Sequence, residues 1–174
     1  MRKYGLSLLL FMLMALAFIA STQRLKPLPR QTVAVEMQVA LPLFVQVFMA
    51  AGDRFLAADI AAIRALVVST EKMKPEDYAV LAKVQKDVSW LNPAHEDNYY
   101  IAFAILPQYG ELDAAQTILA RASRVRFFDY QPAFFYGFNQ WYYKHDPAGA
   151  AAWLREAAIK LPDPDQQLTM QNMA

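Results

Sequence analysis

Two segments decide the fold of this chain: DNYYIAFAILPQYGELDAAQTILARASRVRF at residues 97–127 and PAFFYGFNQWYYKHDPAGAAAWLREAAIKLP at residues 132–162. When the first is moved forward by 35 residues, large side chains meet large ones and small side chains meet small ones. The matched pairs are Tyr99 and Phe134, Ala102 and Gly137, Phe103 and Phe138, Leu106 and Trp141, Ala115 and Ala150, Leu119 and Leu154, and Ala122 and Ala157. A constant offset of this size indicates a repeated helical hairpin.

Small and large residues alternate on one face of the second helix predicted in each segment. Ala115 and Ala122 lie about two turns apart with Leu119 between them, and the second segment has the same arrangement 35 residues later. Small residues let two antiparallel helices approach, and large ones fill the space above and below. Because one hairpin cannot bury its whole apolar face alone, the two hairpins are expected to stack.

The spacing resembles the tetratricopeptide repeat, whose pattern runs W-x2-L-G-x2-Y, then A-x3-F, then P, over about 34 residues. The segment Gly110–Ala115 is similar to that family's turn between helices. Residues that resemble its second helix and closing proline are Ala150, Leu154, Ala157 and Pro162. In this chain Ala102 and Gly137 stand one position earlier than the family's glycine, and each repeat is one residue longer. The resemblance implies a short α-solenoid with a concave groove.

Helical periodicity extends the domain toward the amino terminus. Apolar residues recur at helical spacing from residue 54 and again after Pro75, and the second of these helices is expected to end at Asn92-Pro93. The two stripes are Phe55, Ala58, Ala62, Ala65 and Val68, and then Tyr78, Leu81, Val84, Val88 and Leu91. Residues 39–51 are apolar but too short to cross a bilayer. They either pack inside the domain, which we favour, or lie at a membrane interface.

The amino-terminal segment combines a basic start, Arg2-Lys3, with an apolar run, Leu6–Ala20. This pattern fits either a cleaved signal peptide or a retained membrane anchor. Cutting after Ala20 would put Phe18 at position −3, which fits a cleavage site poorly. The retained anchor is therefore favoured.

These observations predict an all-α protein with an N-terminal transmembrane helix at residues 1–22. An extended, proline-containing linker follows at residues 23–38, then a tetratricopeptide-like helical domain at residues 39–164 and a flexible tail at residues 165–174. The expected location is the bacterial inner membrane, crossed once, with the C-terminal domain in the periplasm.

Charge and composition exclude several classes of function. The net charge is +1 and the basic residues are scattered, so nucleic acid is not expected as a partner. The chain has no cysteine, which excludes disulfides, thiol nucleophiles and cysteine-bound metals.

No pattern of catalytic residues stands out. His95 and His145 both lie near turns, and neither has a second histidine at helical spacing, so no metal site is predicted. No glycine-rich phosphate loop or nucleophile elbow is present. We expect no enzyme activity, no catalytic residues, no cofactor and no small-molecule substrate.

The unusual composition is an aromatic block between Phe127 and Tyr143. Part of it is expected to be core, since the repeat places Phe134, Phe138 and Trp141 on the inward face. The adjacent face is predicted to line the groove and to bind a partner. Its residues are Phe135, Asn139 and Tyr142, together with Tyr100 of the preceding hairpin.

The leading functional hypothesis is a membrane-anchored, non-enzymatic interaction or scaffold subunit. Its expected partner is an integral membrane protein complex or an envelope protein. The alternative is a transient assembly or chaperone-like factor that binds extended peptides in the cell envelope. An enzyme acting on envelope lipid or peptidoglycan is a third, less favoured hypothesis.

Overall fold

The computed structural model describes residues 5–25, 40–67 and 73–174, and in this part of the chain all regular secondary structure is helical. The chain divides into two compact units, Met1–Thr32 and Val33–Ala174. The α-helices described are α1 (Gly5–Leu25), α2 (Leu43–Met49), α3 (Arg54–Leu66), α4 (Pro75–Leu91), α5 (Glu96–Ile105), α6 (Leu112–Val125), α7 (Gln131–Tyr142), α8 (Pro147–Ile159) and α9 (Pro164–Asn172). A 3₁₀ helix, Leu106–Tyr109, follows α5. The prediction of an all-α fold is confirmed.

The membrane predictions are corrected by the structure. Among the described residues, no helix has the length and apolar character needed to cross a membrane. The predicted transmembrane anchor at residues 1–22, and with it the single-pass inner-membrane location, is therefore wrong. Helix α1 spans Gly5–Leu25, but its apolar run, Leu6–Ala20, extends only about 22 Å at about 1.5 Å per residue. A bilayer has a hydrocarbon core of about 30 Å. Residues 26–39, which include most of the predicted linker, lie outside the described residues.

Helices α2, α3 and α4 form the start of the second unit. The Asp53 carboxylate caps α3 by accepting hydrogen bonds from the backbone N–H groups of Phe55 and Leu56. Five alanines of α3 are buried and let it approach α4 closely: Ala57, Ala58, Ala61, Ala62 and Ala65. Phe55, expected on this inner stripe, is instead exposed. Helix α2 begins after Pro42 and packs its Leu43 and Val47 against the core.

Helix α4 follows its sequence pattern closely. It begins at Pro75, and the Asp77 carboxylate accepts a hydrogen bond from the Lys74 N–H, which satisfies a free donor at the helix start. It ends at Leu91, immediately before Asn92-Pro93, as predicted. The whole predicted stripe is buried: Tyr78, Leu81, Val84, Val88 and Leu91.

Two helical hairpins with a common register complete most of the domain. Helix α5 begins at Glu96 and α7 at Gln131, while α6 begins at Leu112 and α8 at Pro147, so both pairs are 35 residues apart. The turns share this register. Gly110 has a φ of 85° and His145, also 35 residues later, has a φ of 54°, both in the left-handed region. The fold is thus compatible with a helical repeat.

The paired second helices bury equivalent residues, but the first helices differ. The buried residues are Ala115, Leu119 and Ala122 on α6, and Ala150, Leu154 and Ala157 on α8. Leu106 is fully buried, whereas its counterpart Trp141 is 58% exposed. The expectation that Trp141 belongs to the core is therefore wrong. The first hairpin, α5–α6, is followed by the second hairpin, α7–α8. The second hairpin is followed only by the short α9 in the described part of the chain.

The final residues form helix α9, where the sequence predicts a flexible tail at residues 165–174. Pro164 begins the helix, and the Asp163 carboxylate accepts a hydrogen bond from the Asp165 N–H. Met170 is buried in a cluster with Leu154, Ala158 and Leu161. This cap and this apolar anchor are why the segment is helical.

Candidate functional site

A groove between α7 and α8 lies close to the predicted site. It has a volume of about 570 Å³, and the last residues of the chain contribute to its lining. We call it the C-terminal groove. Its lining residues are Phe134, Gly137, Phe138, Trp141, Pro147, Ala150, Ala151, Leu154, Met173 and Ala174. These side chains are all apolar, so the groove suits an apolar ligand segment.

Gly137 sets the floor of the groove. A Cβ atom at this position would lie 3.2 Å from the Ala150 carbonyl oxygen and 3.3 Å from Leu154 Cγ. The absent side chain therefore lets α7 and α8 pack closely. This contact fixes the groove's shape before any ligand binds.

A row of stacked rings leads from the domain core to the groove. The Phe103 and Phe135 rings stack with centroids 4.0 Å apart, and Phe103 meets the edge of Phe138 at 5.8 Å. Phe138 in turn stacks on Tyr142 at 5.5 Å and contacts Trp141 at 6.0 Å. We call Tyr100, Phe103, Phe135, Phe138, Trp141 and Tyr142 the aromatic strip. Since Trp141 and Tyr142 are more than half exposed, the strip ends on the surface.

The four predicted binding residues have different environments. Tyr142 is 54% exposed beside the groove. Tyr100 and Phe135 are half-buried and meet edge-to-face at 5.5 Å, and the Tyr100 hydroxyl donates a hydrogen bond to the Gln131 side-chain oxygen. Asn139 is fully buried, so it is not on the exposed surface where the sequence analysis places it. The structure thus links three of the residues through the aromatic strip and separates Asn139 from them.

Sequence reasoning missed Trp141 and Phe138 as groove residues. The 35-residue offset pairs Trp141 with Leu106 and Phe138 with Phe103, and all four side chains are large. The repeat pattern therefore predicted a core position for Trp141 and Phe138. A usable signal was the sequence after residue 162, which does not repeat the hairpin pattern a third time within this chain.

His145 adds a polar group to this region. Its imidazole is exposed, and it lines a recess together with Trp141 and Tyr142. Few residues other than glycine adopt its left-handed backbone conformation, so the turn holds the ring beside the aromatic pair at some conformational cost.

A buried polar network connects the two hairpins below the strip. The Asp129 carboxylate accepts hydrogen bonds from the Tyr99 hydroxyl at 2.7 Å, from Arg126 Nε at 2.8 Å and from the Gln131 N–H at 3.0 Å. Arg126 also pairs with Glu96 at 2.9 Å. The network ties the start of α5 to the loop before α7.

The ionisation of this network follows from its contacts. Burial raises the pKa of Asp129, but the hydrogen bonds from Tyr99, Arg126 and the Gln131 N–H outweigh burial and hold that pKa below its usual value. Burial, and then the hydrogen bond to Asp129, raise the pKa of Tyr99 well above its usual value. Asp129 is therefore charged and Tyr99 neutral at physiological pH, which suits a structural role.

Within residues 5–25, 40–67 and 73–174, no three histidine, aspartate or glutamate side chains come together in a way that could hold a metal ion. Comparisons with protein families, with curated proteins and with solved structures find no match for this chain.

Proposed function

We propose that this protein is a non-enzymatic interaction module that binds an apolar segment of a partner protein in the C-terminal groove. The observation that carries the proposal is Trp141, whose large ring is 58% exposed at the edge of an apolar groove of about 570 Å³. Exposed tryptophan and tyrosine beside such a groove are the residues that most often dominate binding energy at interfaces.

Two features support specific binding instead of non-specific hydrophobic association. The groove is preformed, because Gly137 allows close helix packing and the stacked aromatic strip holds Phe138 in place. A second recess, which shares Trp141 with the groove, carries polar groups, the Tyr142 hydroxyl and the His145 imidazole, which can orient a bound peptide. An apolar centre with a polar rim is the usual anatomy of a protein interface.

We further propose that the hairpins α5–α6 and α7–α8 are tetratricopeptide-like. The common 35-residue register of the helix starts and the left-handed turns at Gly110 and His145 support this. The proposed groove lies on the last hairpin of the pair.

The test begins with the full chain immobilised as bait for a random peptide library displayed on phage. Peptides selected by the parent are then titrated against Trp141→Ala and Trp90→Ala. Trp90 is a matched control, since it is 60% exposed but lies on α4 with the Arg121 guanidinium 4.0 Å from its ring. Trp141→Ala is expected to weaken binding about tenfold or more, with little change for Trp90→Ala. Equal affinity for parent and Trp141→Ala would contradict the proposal.

The selected peptides also discriminate between the two interaction hypotheses. A single consensus sequence is expected for a stable scaffold subunit. Many unrelated apolar peptides that dissociate rapidly would favour the transient assembly or chaperone-like factor, for which the uniformly apolar lining of the groove is the supporting observation.

A further inference from the structure

Helix α3 is apolar on both sides. Its inner face is the row of buried alanines that packs on α4. Its outer face, opposite those alanines on the helix, carries Leu56, Ile60, Ile63 and Val67, which are between 46% and 58% exposed. A helix that is apolar all round is ordinarily enclosed, so this outer face indicates a contact with another element.

The outer residues follow the spacing of a coiled coil. From Leu56 to Val67 the steps along the chain are four, three and four, which are the steps between the d and a positions of a heptad. Ile60 and Val67 then occupy a positions, while Leu56 and Ile63 occupy d positions. β-Branched residues fill both a positions and leucine fills one of the two d positions, a combination compatible with two parallel strands.

Charge placement points to the same arrangement. Asp59 and Arg64 flank the apolar row on opposite sides, at a g position and at the following e position. In a parallel pair of helices, g of one helix faces the following e of the other, so Asp59 would face Arg64 of a second copy. An antiparallel pair would instead bring like charges together. The Asp59 carboxylate is more than half exposed and has a long contact, 3.5 Å, with His95 of its own chain.

Helix α2, which packs on α3, also exposes apolar rings. Phe44 and Phe48 are 74% and 83% exposed, and these two rings alone present roughly 300 Å² of surface. Met49 beside them is 71% exposed, so α2 and α3 both present large apolar side chains to solvent.

We propose that the protein forms a parallel, two-fold symmetric homodimer through the outer face of α3. Residues Leu56, Ile60, Ile63 and Val67 of the two copies form its seam, and Asp59 of each copy pairs with Arg64 of the other. Helix α3 is already fixed by its packing on α4, so the pair forms without the entropy cost of forming new helices. The dimer is independent of peptide binding in the C-terminal groove.

Sedimentation of the purified full chain over a range of concentrations tests the dimer. The parent is expected to be dimeric, and Ile63→Glu is expected to raise the dimer dissociation constant roughly 100-fold or more, because the change removes an apolar contact from both copies. Ile159→Glu is the matched control, since Ile159 on α8 is 73% exposed, and it should remain dimeric. Circular dichroism should show equal helicity for all three proteins.

The absence of cysteine from the chain allows a direct test of helix direction. Under mild oxidation, Leu56→Cys is expected to form a disulfide-linked dimer, because parallel helices place the two copies of residue 56 side by side. Ile159→Cys should not. If cross-linking instead requires a mixture of Leu56→Cys and Val67→Cys chains, the helices are antiparallel and the proposal is overturned.

Two other results would also overturn the proposal. The parent could remain monomeric at the highest concentration tested, or Ile63→Glu and Ile159→Glu could dimerise equally. If the monomeric parent pelleted with phosphatidylcholine vesicles and Ile63→Glu did not, the outer face of α3 would be a lipid-binding surface instead of a dimer interface.

Discussion

Replacing Asp129 with alanine is expected to lower the free energy of unfolding by about 3–5 kcal/mol. The change would leave the Arg126 guanidinium, whose side chain is only 14% exposed, without its closest charged partner. It would also leave the buried Tyr99 hydroxyl without its 2.7 Å acceptor. Urea denaturation followed by circular dichroism measures the loss.

Asp113→Ala is the matched control for this variant. Its carboxylate also pairs with a cation, Lys144 at 3.2 Å, but its side chain is 94% exposed. An exposed pair of this kind contributes little, so the change should shift stability by less than about 0.5 kcal/mol. Equal losses for the two variants would show that the Asp129 network does not join the hairpins.

The same carboxylate gives the stability a dependence on pH. Because the pKa of Asp129 is lower in the folded protein than in the unfolded chain, its contribution is present above about pH 3.9 and is lost as the pH falls toward the folded value. The difference in stability between the parent and Asp129→Asn should therefore be constant above about pH 5 and shrink as the pH falls below about pH 4. A difference that stays constant down to about pH 2 would contradict the assignment. Urea midpoints at each pH provide the measurement.

Leu119→Ala is expected to lower the free energy of unfolding by about 2–5 kcal/mol, since it opens a cavity in a closed part of the core. Leu119 is 0% exposed between the hairpins. Its repeat counterpart Leu154 lines the C-terminal groove and is 8% exposed, so the space left by Leu154→Ala would join the groove and relax more easily. The loss of free energy of unfolding for Leu154→Ala should therefore lie near the lower end of the range given for Leu119→Ala.

Thermal and urea unfolding of the two leucine variants measure this difference. Equal losses would mean that both sites are equally enclosed. Such a result would contradict an open groove beside Leu154, while a larger loss for Leu119→Ala would agree with the structure.

The hairpins could be predicted from the sequence because their signal is local. Side-chain size alternates with helical spacing, and the 35-residue offset relates Ala115 to Ala150 without knowledge of the tertiary structure. The same offset misplaced Trp141, because a repeat argument treats every unit alike, whereas the first hairpin is followed by a second one and the second hairpin by the short α9. The helix at the end of the chain was missed because one buried side chain, Met170, and one Asp163 cap stabilise it.

The four predicted binding residues differ in where the structure places them. Phe135 and Tyr142 belong to the aromatic strip, but Asn139 points into the protein, and small changes in the rotation of a helix decide such assignments. The outer face of α3 was missed for a related reason. The spacing of the alanine stripe includes Phe55 but not Leu56, Ile60 and Ile63, which form the outer row.

The equivalent turns at Gly110 and His145 carry different residues, and the difference affects both the stability of the turn and the groups beside it. Both positions need a left-handed backbone, and glycine meets this need at Gly110 without steric strain. Histidine at the equivalent position retains strain that glycine would remove, so His145→Gly offers an engineering route to a more stable chain without changing its core. The same substitution would remove the imidazole beside Trp141 and Tyr142. The more stable variant would therefore lack a polar group beside the proposed binding groove.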